Sequence, residues 1–262
     1  MKIQDIIQVL QGEGTWVSWE YKTRDQVLCG DITQDVNRVG VCWVATKQVI
    51  QHAIDHDIHF IITHENPFYQ CSTNMMQAAK IAADEKKDML EKHHITLYRC
   101  HDVWDSIRDV GVSDTWAKRL GFSFEPRLQA SYYQCANIEE MSVEALAKHC
   151  ANCLLQDGEQ GVYVFGDVQK KIHRIAIGTG AATNLYDMLQ FQPDAMIVSD
   201  DGINNYDAAQ YAIDQHLPII VVNHAGCEIG GLKAMAPWLQ AKIGCHVEYI
   251  KEGYDIHYYI AD

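Results

Sequence analysis

From Val39 the chain alternates between short apolar runs and amphipathic stretches. GVCWVA (40–45) reads as a buried strand, Thr46 as a cap for the helix KQVIQHAIDH (47–56), and HFIIT (59–63) as a second buried strand. After the polar loop HENPFYQCST, the apolar positions Met76, Ala79, Ala83 and Leu90 predict a long amphipathic helix from near Thr73 to about Lys92, followed by the strand ITLYRC (95–100). Strands that alternate with helices predict a parallel sheet, so this stretch reads as a βαβαβ unit. A second unit begins at Arg174. RIAIGTG is its first strand, TNLYDMLQF a helix with Thr183 at its cap, AMIVS a strand, NNYDAAQYAIDQH a helix and PIIVVN a strand.

The expected fold class is therefore α/β, with two similar lobes, each a βαβαβ-type sheet with flanking helices. The first lobe is placed at 1–127, completed by a C-terminal strand within 246–262, and the second at 128–245. Pro126, a helix candidate from Ser142 to Leu155 and the strand-like VYVFG (162–166) fall in the joint between them.

Composition narrows the class. With 262 residues, 48% of them apolar, the chain can bury a sizeable core, and a net charge of -14 repels a phosphate backbone, so direct nucleic-acid binding is not expected. The opening MKIQDIIQVLQ alternates as a helix and lacks the apolar core of a signal peptide, and no run is long enough to span a bilayer. Nine scattered cysteines fit a reducing compartment. A cytoplasmic protein without a membrane partner is expected.

The chemistry concentrates at strand ends. His64 follows HFIIT, His101 follows ITLYRC and His224 follows PIIVVN, and the carboxyl edge of an open parallel sheet is where ligands bind. Carboxylates accompany each: Glu65 beside His64, Asp102 and Asp105 after His101, and Glu228 four residues beyond His224. Neutral imidazole with carboxylate is a ligand set for zinc, iron or manganese, and such sites support metal-assisted hydrolysis. One histidine ending a strand is ordinarily a satisfied polar residue, and acidic neighbours are often helix caps. Three at one topological address weigh against that reading.

Other features carry less. HCANC (149–153) has one CxxC in a helical stretch and reads as core packing; GTGAATN (178–184) is a turn that lacks a phosphate-loop lysine. Cys227 in NHAGCE reads as a small loop residue or a redox-sensitive thiol, and Asp200 and Asp201 as caps of the helix NNYDAAQ or as partners of His224 or substrate contacts.

IITHENPFY, LYRCHDVWD and NHAGCEIGGLKAMAPWL together resemble the three signature blocks of the Nif-three-like proteins, whose bacterial members carry the name GTP cyclohydrolase I type 2. In that family the first block usually reads as a histidine pair followed by proline, the second as a histidine with an aspartate four residues on, and the third as a histidine with a glutamate four residues on. His64, Asp105, His224 and Glu228 match directly. Glu65 stands where the second histidine is usual and resembles a variant of the family.

The resemblance implies metal ligands at His64, Glu65, Asp105, His224 and Glu228, a dinuclear centre in the cleft between lobes, and a homohexamer. It gives His101 a place beside the ligands or in proton transfer, with Glu65 as the other proton carrier. A carboxylate at position 65 favours manganese or iron over zinc, or leaves one metal position filled rather than two. The function expected is a metal-dependent hydrolase, with one or two divalent ions, acting on a small phosphorylated or nucleotide-like substrate. The alternative is a non-catalytic metal-handling or protein-docking hexamer.

Overall fold

Thr46 is in extended backbone, and its hydroxyl accepts a hydrogen bond from the Val49 amide at 3.3 Å, starting α2 (Lys47–Asp55) where the sequence placed it. The helix then buries Val49, Ile50 and Ala53, a spacing that puts all three on one face. Similar local rules build the rest of the computed structural model, which describes residues 1–21, 23–69, 77–129 and 131–259. The start of the long helix expected near Thr73, and its apolar Met76, lie outside the described residues.

The chain divides into two compact units, Met1–Gly111 with Leu232–Tyr254, and Val112–Gly231 with the segment from Asp255. The first unit holds α1 (Ile3–Gly12), β1 (Gln26–Cys29), β2 (Arg38–Cys42), α2, β3 (Phe60–Thr63), α3 (Gln77–Lys92), β4 (Thr96–Arg99) and α4 (Asp102–Ser106). The second holds α5 (Val112–Leu120), β5 (Gln134–Ser142), α6 (Val143–Leu154), β6 (Tyr163–Phe165), β7 (Lys171–Ile177), α7 (Leu185–Met188), β8 (Ala195–Ser199), α8 (Asn205–Asp214) and β9 (Ile219–Val222). Helix α9 (His224–Ile243) gives its first residues to the second unit and those from Leu232 to the first, which also takes β10 (His246–Tyr249).

The first sheet has the order β1-β4-β3-β2-β10, parallel throughout except for β1, which runs antiparallel to β4. All four residues of β3 and of β4 are buried, as expected of central parallel strands covered on both faces. Ile61, Leu97, Cys42 and Ile250 pack with Val49, Ile50 and Ala53 of α2 and Leu90 of α3.

The second sheet has the order β5-β7-β8-β9-β6. Its parallel centre is β7-β8-β9, and both edges are antiparallel. Side-chain alternation splits the core cleanly. Ile175, Ile177, Ile197, Ile220 and Val222 face Val143, Leu146 and Cys150 of α6, while Ala176, Met196, Val198, Ile219 and Val221 face Leu185, Met188, Ala208 and Ala212 of α7 and α8.

The structure corrects the sequence reading at the edges. VYVFG is not part of a joint: β6 closes one edge of the second sheet, pairing antiparallel with β9. Strands β1 and β5 carry no clean apolar run, because an edge strand is buried on few of its positions; β5 is exposed or half-buried from Asn137 onward. The cap of α7 is Asn184 rather than Thr183, its side chain accepting from the amides of Tyr186 and Asp187. Among the described residues no helix is long and apolar enough to cross a membrane.

Thr46 also donates its hydroxyl to the Glu252 carbonyl at 2.8 Å, tying the α2 cap to the segment after β10. Thr46→Ala is expected to cost about 1 kcal/mol of stability, the ordinary loss for an N-cap. Urea unfolding measures it, and an unchanged midpoint would contradict the capping role.

Candidate metal centre

The first unit gathers four chemistry-bearing side chains at the carboxyl edge of β3 and β4. His64 follows β3, is fully buried, and donates Nδ1–H to the Cys100 carbonyl at 3.2 Å. A carbonyl can only accept, so the proton is fixed on Nδ1, and in the neutral ring the Nε2 lone pair faces Asp105 Oδ1 at 3.4 Å. The His101 ring stacks on His64 with centroids 4.4 Å apart and planes 6° from parallel. His64, His101 and Asp105 each offer a donor atom within 4.8 Å of the others.

His101 sits among carboxylates. Its Nδ1 lies 3.1 Å from Asp102 Oδ1 and 3.0 Å from Asp105 Oδ2, and its Nε2 lies 3.5 Å from Glu65 Oε1. Burial by itself depresses the imidazolium, but Asp105 first, then hydrogen bonds to Asp102, Asp105 and Glu65, outweigh it and hold the His101 pKa well above its ordinary value. Asp102, an alternative oxygen ligand in the sequence, is engaged elsewhere: it accepts from the Thr23 hydroxyl and the Arg24 amide, each at 2.8 Å.

Asp105 is placed by α4, and α4 is held by a residue the motif search did not find. Asp25 is buried and accepts from the amides of His101 at 3.0 Å, Asp102 at 2.8 Å and Val103 at 3.3 Å. Those amides belong to the start of the helix, where backbone donors have no intrahelical partner. Burial, the largest influence, pushes the Asp25 carboxyl above its usual range despite these hydrogen bonds. No local pattern in TRDQ announces such a role, since the capped helix lies more than 70 residues downstream.

The second unit repeats the logic at the end of β9. His224 opens α9 and points its Nδ1 at Asp201 Oδ2, 2.8 Å away, while its Nε2 faces Glu228 Oε2 at 3.0 Å. The i,i+4 spacing puts His224 and Glu228 on one helical face. Asp200 Oδ1 accepts the His224 amide at 2.8 Å, and its Oδ2 accepts from the Asn223 side chain at 2.9 Å. Asp201 orients the imidazole, whereas neither aspartate caps the helix that follows: α8 is capped by Asn204, and Asp200 meets the start of α9 instead.

Two glycines let this corner form. Gly180 has φ +57°, and a Cβ there would lie 2.1 Å from Glu228 Oε1 and 2.9 Å from His224 Nε2. A side chain at 180 would thus fill the space next to the two donor atoms. Gly226 lies against the buried carboxyl of Glu159, with a would-be Cβ 1.9 Å from Oε2. Cys227 is buried in α9 and donates its thiol to the His224 carbonyl at 3.1 Å; burial first of all raises its pKa far above the usual thiol range, so it is a packing residue rather than a reactive thiolate. Cys150 of HCANC is likewise core.

The family model of Duf34/NIF3 (NGG1p interacting factor 3) matches residues 1–253. The chain belongs to this family. A relative from Clostridium perfringens named GTP cyclohydrolase 1 type 2 homolog is 23% identical over 260 residues, covering 95% of each chain. Of solved structures, the Bacillus cereus protein related to NIF3 superposes with a TM-score of 0.82 at 15% identity, and a hypothetical protein from Staphylococcus aureus with 0.78 at 21%, each covering 99% of both chains. At such identities these structures show a shared fold.

This DUF34/NIF3 chain has residues that fit a divalent ion by the chemistry of its donors. His64 has its Nδ1–H committed to a carbonyl and its Nε2 aimed at Asp105, an arrangement of two acceptors that a shared cation stabilises; His224 has carboxylates at both ring nitrogens, and a cation at Nε2 would leave its proton to Nδ1 and Asp201. In the second unit the space on the Gly180 side is kept free of side chain.

Glu159, also unannounced in the sequence, braces the second corner. Its Oε1 accepts from the Asn223 amide at 2.9 Å and from the Tyr258 hydroxyl at 3.3 Å. Burial is the main influence that lifts its pKa from 4.5 to about 7. A carboxyl whose folded pKa is raised contributes stability that is present below 4.5 and lost as pH rises through 7. Relative to wild type, E159Q is therefore expected to gain on the order of 3 kcal/mol between those two pH values. Urea unfolding of both proteins across that range measures it; parallel stability profiles would contradict the assignment.

Proposed function

We propose that this DUF34/NIF3 protein is a metal-dependent hydrolase acting on a small phosphorylated or nucleotide-like molecule. The observation that carries the reading is the pair of buried imidazoles, His64 and His224, each with its Nε2 facing a carboxylate, Asp105 and Glu228. These residues would hold one or two divalent ions, manganese, iron or zinc, in a cytoplasmic homohexamer. The name carried by the Clostridium perfringens relative supports the substrate class.

A divalent ion in such a site polarises a phosphoryl or carbonyl oxygen and eases deprotonation of water. The chain's own residues manage the rest. Asp25 holds α4 so that Asp105 keeps its place, and Asp201 and Asp200 fix the ring and backbone of His224. His101 lies between Glu65 on its Nε2 side and Asp102 and Asp105 on its Nδ1 side, a position from which an imidazole can take a proton at one nitrogen and release one at the other. Its raised pKa suits the role of proton donor to a leaving group.

Metal analysis after reconstitution, followed by hydrolysis assays on phosphoesters, nucleotides and cyclic amides with manganese, iron and zinc, tests the reading. Wild type is expected to hold metal in stoichiometric amount and turn over at least one class. His64→Ala and Glu228→Ala should each lose metal affinity by roughly tenfold or more while staying folded. A wild type that takes up no metal sinks the proposal, and stoichiometric metal without turnover would move the protein to metal handling.

A further inference from the structure

The loops that leave the carboxyl ends of β7 and β8 meet through glycine. A Cβ on Gly202 would lie 2.4 Å from the Cβ of Thr183 and 2.8 Å from the Gly180 carbonyl oxygen, so only glycine permits this approach. Gly180 is the same residue that lies against Glu228 Oε1 and His224 Nε2. Gly202 also lines a cavity of about 170 Å³ whose walls all belong to the second unit. The cavity thus lies at the carboxyl edge of the second sheet, where ligands of such sheets bind, with Gly180 linking its rim to the two donor atoms.

The lining suits a flat ring. Leu185 and Ala208 are buried along it and Ile203 is half-buried, which makes part of the wall apolar. Tyr186 lines it as well and is 56% exposed; Tyr211 meets its ring edge-on, with centroids 5.6 Å apart and planes at 89°. That contact holds the tyrosine ring in one orientation, ready for a flat ligand to stack on it. An apolar cavity of about 150 Å³ already admits benzene, so one six-membered ring fits here and the rest of a larger ligand extends outwards.

The polar groups select the edge of that ring. Asn184 and Asn204 cap α7 and α8, and each spends its Oδ1 on the helix: the first accepts from the Tyr186 amide at 2.9 Å, the second from the Tyr206 amide at 3.0 Å. What each side chain has left for a ligand is the N–H donors of its own amide. Asp207, in the first turn of α8, adds a carboxylate, an acceptor. A carbonyl oxygen has two lone pairs and can receive two amides, whereas a bare ring nitrogen has one; a cation would be repelled by the same N–H donors. The matching edge is an N–H beside a C=O, the lactam of an oxo-heterocycle. An acidic residue in the first turn also suits the helix dipole, but that role would not discriminate between ligands.

We propose that this cavity binds the lactam edge of an oxo-heterocycle, with Asp207 accepting its N–H, Asn184 and Asn204 donating to its carbonyl, and Tyr186 stacking on the ring. The inference deepens the hydrolase reading and rests on it for the cavity's purpose: the ring of a nucleotide-like substrate is held here while the reacting group lies at the corner of His224 and Glu228.

Calorimetric titration of the full chain with inosine and with 1-methylinosine tests it. Neither brings a phosphate to a metal, and in the second a methyl group replaces the ring N–H. Inosine is expected to bind, and 1-methylinosine roughly tenfold or more weakly, the loss of a hydrogen bond to a charged group. Asp207→Ala should weaken inosine to the level of 1-methylinosine and leave 1-methylinosine unchanged, so that the ratio between them collapses. Tyr186→Ala should weaken both, and Tyr186→Phe neither. Should Asp207→Ala fail to fold, Asn184→Asp decides, since it keeps an oxygen to cap α7 but replaces the N–H donors by an acceptor; it should lose inosine by roughly tenfold or more. No binding of inosine, equal affinity for the two nucleosides, or a ratio unchanged in Asp207→Ala each overturns the assignment. Inosine binding by a chain that takes up no metal would keep the cavity and overturn the hydrolase reading, and metal uptake without inosine binding would do the reverse.

Discussion

Everything proposed for this protein depends on how two imidazole rings are held. His64 spends Nδ1–H on a backbone carbonyl and His224 directs Nδ1 at a carboxylate, so each ring is held in one orientation with Nε2 turned towards a carboxylate oxygen. A histidine free to rotate would satisfy itself in many ways; a pinned one presents the same nitrogen at the same place. The two units reach this result differently, one through the backbone of the neighbouring strand and the other through a side chain at a neighbouring strand end, both supplied by a parallel sheet's carboxyl edge.

Around the imidazoles the chain concentrates negative charge and then distributes supports for it. Asp25 is satisfied by backbone amides of α4, Asp200 by amide and side-chain donors at the start of α9, and Glu65 by the guanidinium of Arg99. Glu159 is the exception, because burial raises it to a pKa of about 7 while one of its oxygens lies against Gly226. The bracing of His224 therefore includes a carboxyl whose protonation varies near neutrality.

The parallel centres of both sheets were legible because a strand covered on both faces must be apolar at nearly every position, as HFIIT, ITLYRC, AMIVS and PIIVVN are. The cap Thr46 was legible because its partner lies three residues away. The edge strands were not, since exposure removes the hydrophobic signal, and α9 was hidden by Gly226, Gly230, Gly231 and Pro237 within its span. Within the site, the histidines and their partners at Asp105 and Glu228 stood out through position and block pattern. Asp25, Arg99 and Glu159 did not, because each acts across a long stretch of chain and ordinary acidic or basic residues look alike until folding chooses their neighbours.

The first unit is interrupted in the sequence by nearly all of the second, and its last strand, β10, joins β2 through partners such as Arg38 and Glu248, 210 residues apart. During synthesis the β1-β4-β3-β2 portion must therefore wait, with the β2 edge unpaired, until the ribosome has delivered everything from α5 to α9. An unpaired edge of a buried parallel sheet is a template for pairing with another chain. The second unit, by contrast, has its whole sheet once β9 emerges and waits only for the segment from Asp255. Such an order makes the interval between translation of β2 and of β10 the time when a nascent chain is most exposed to misassembly, and it makes β10 the element whose arrival closes the molecule.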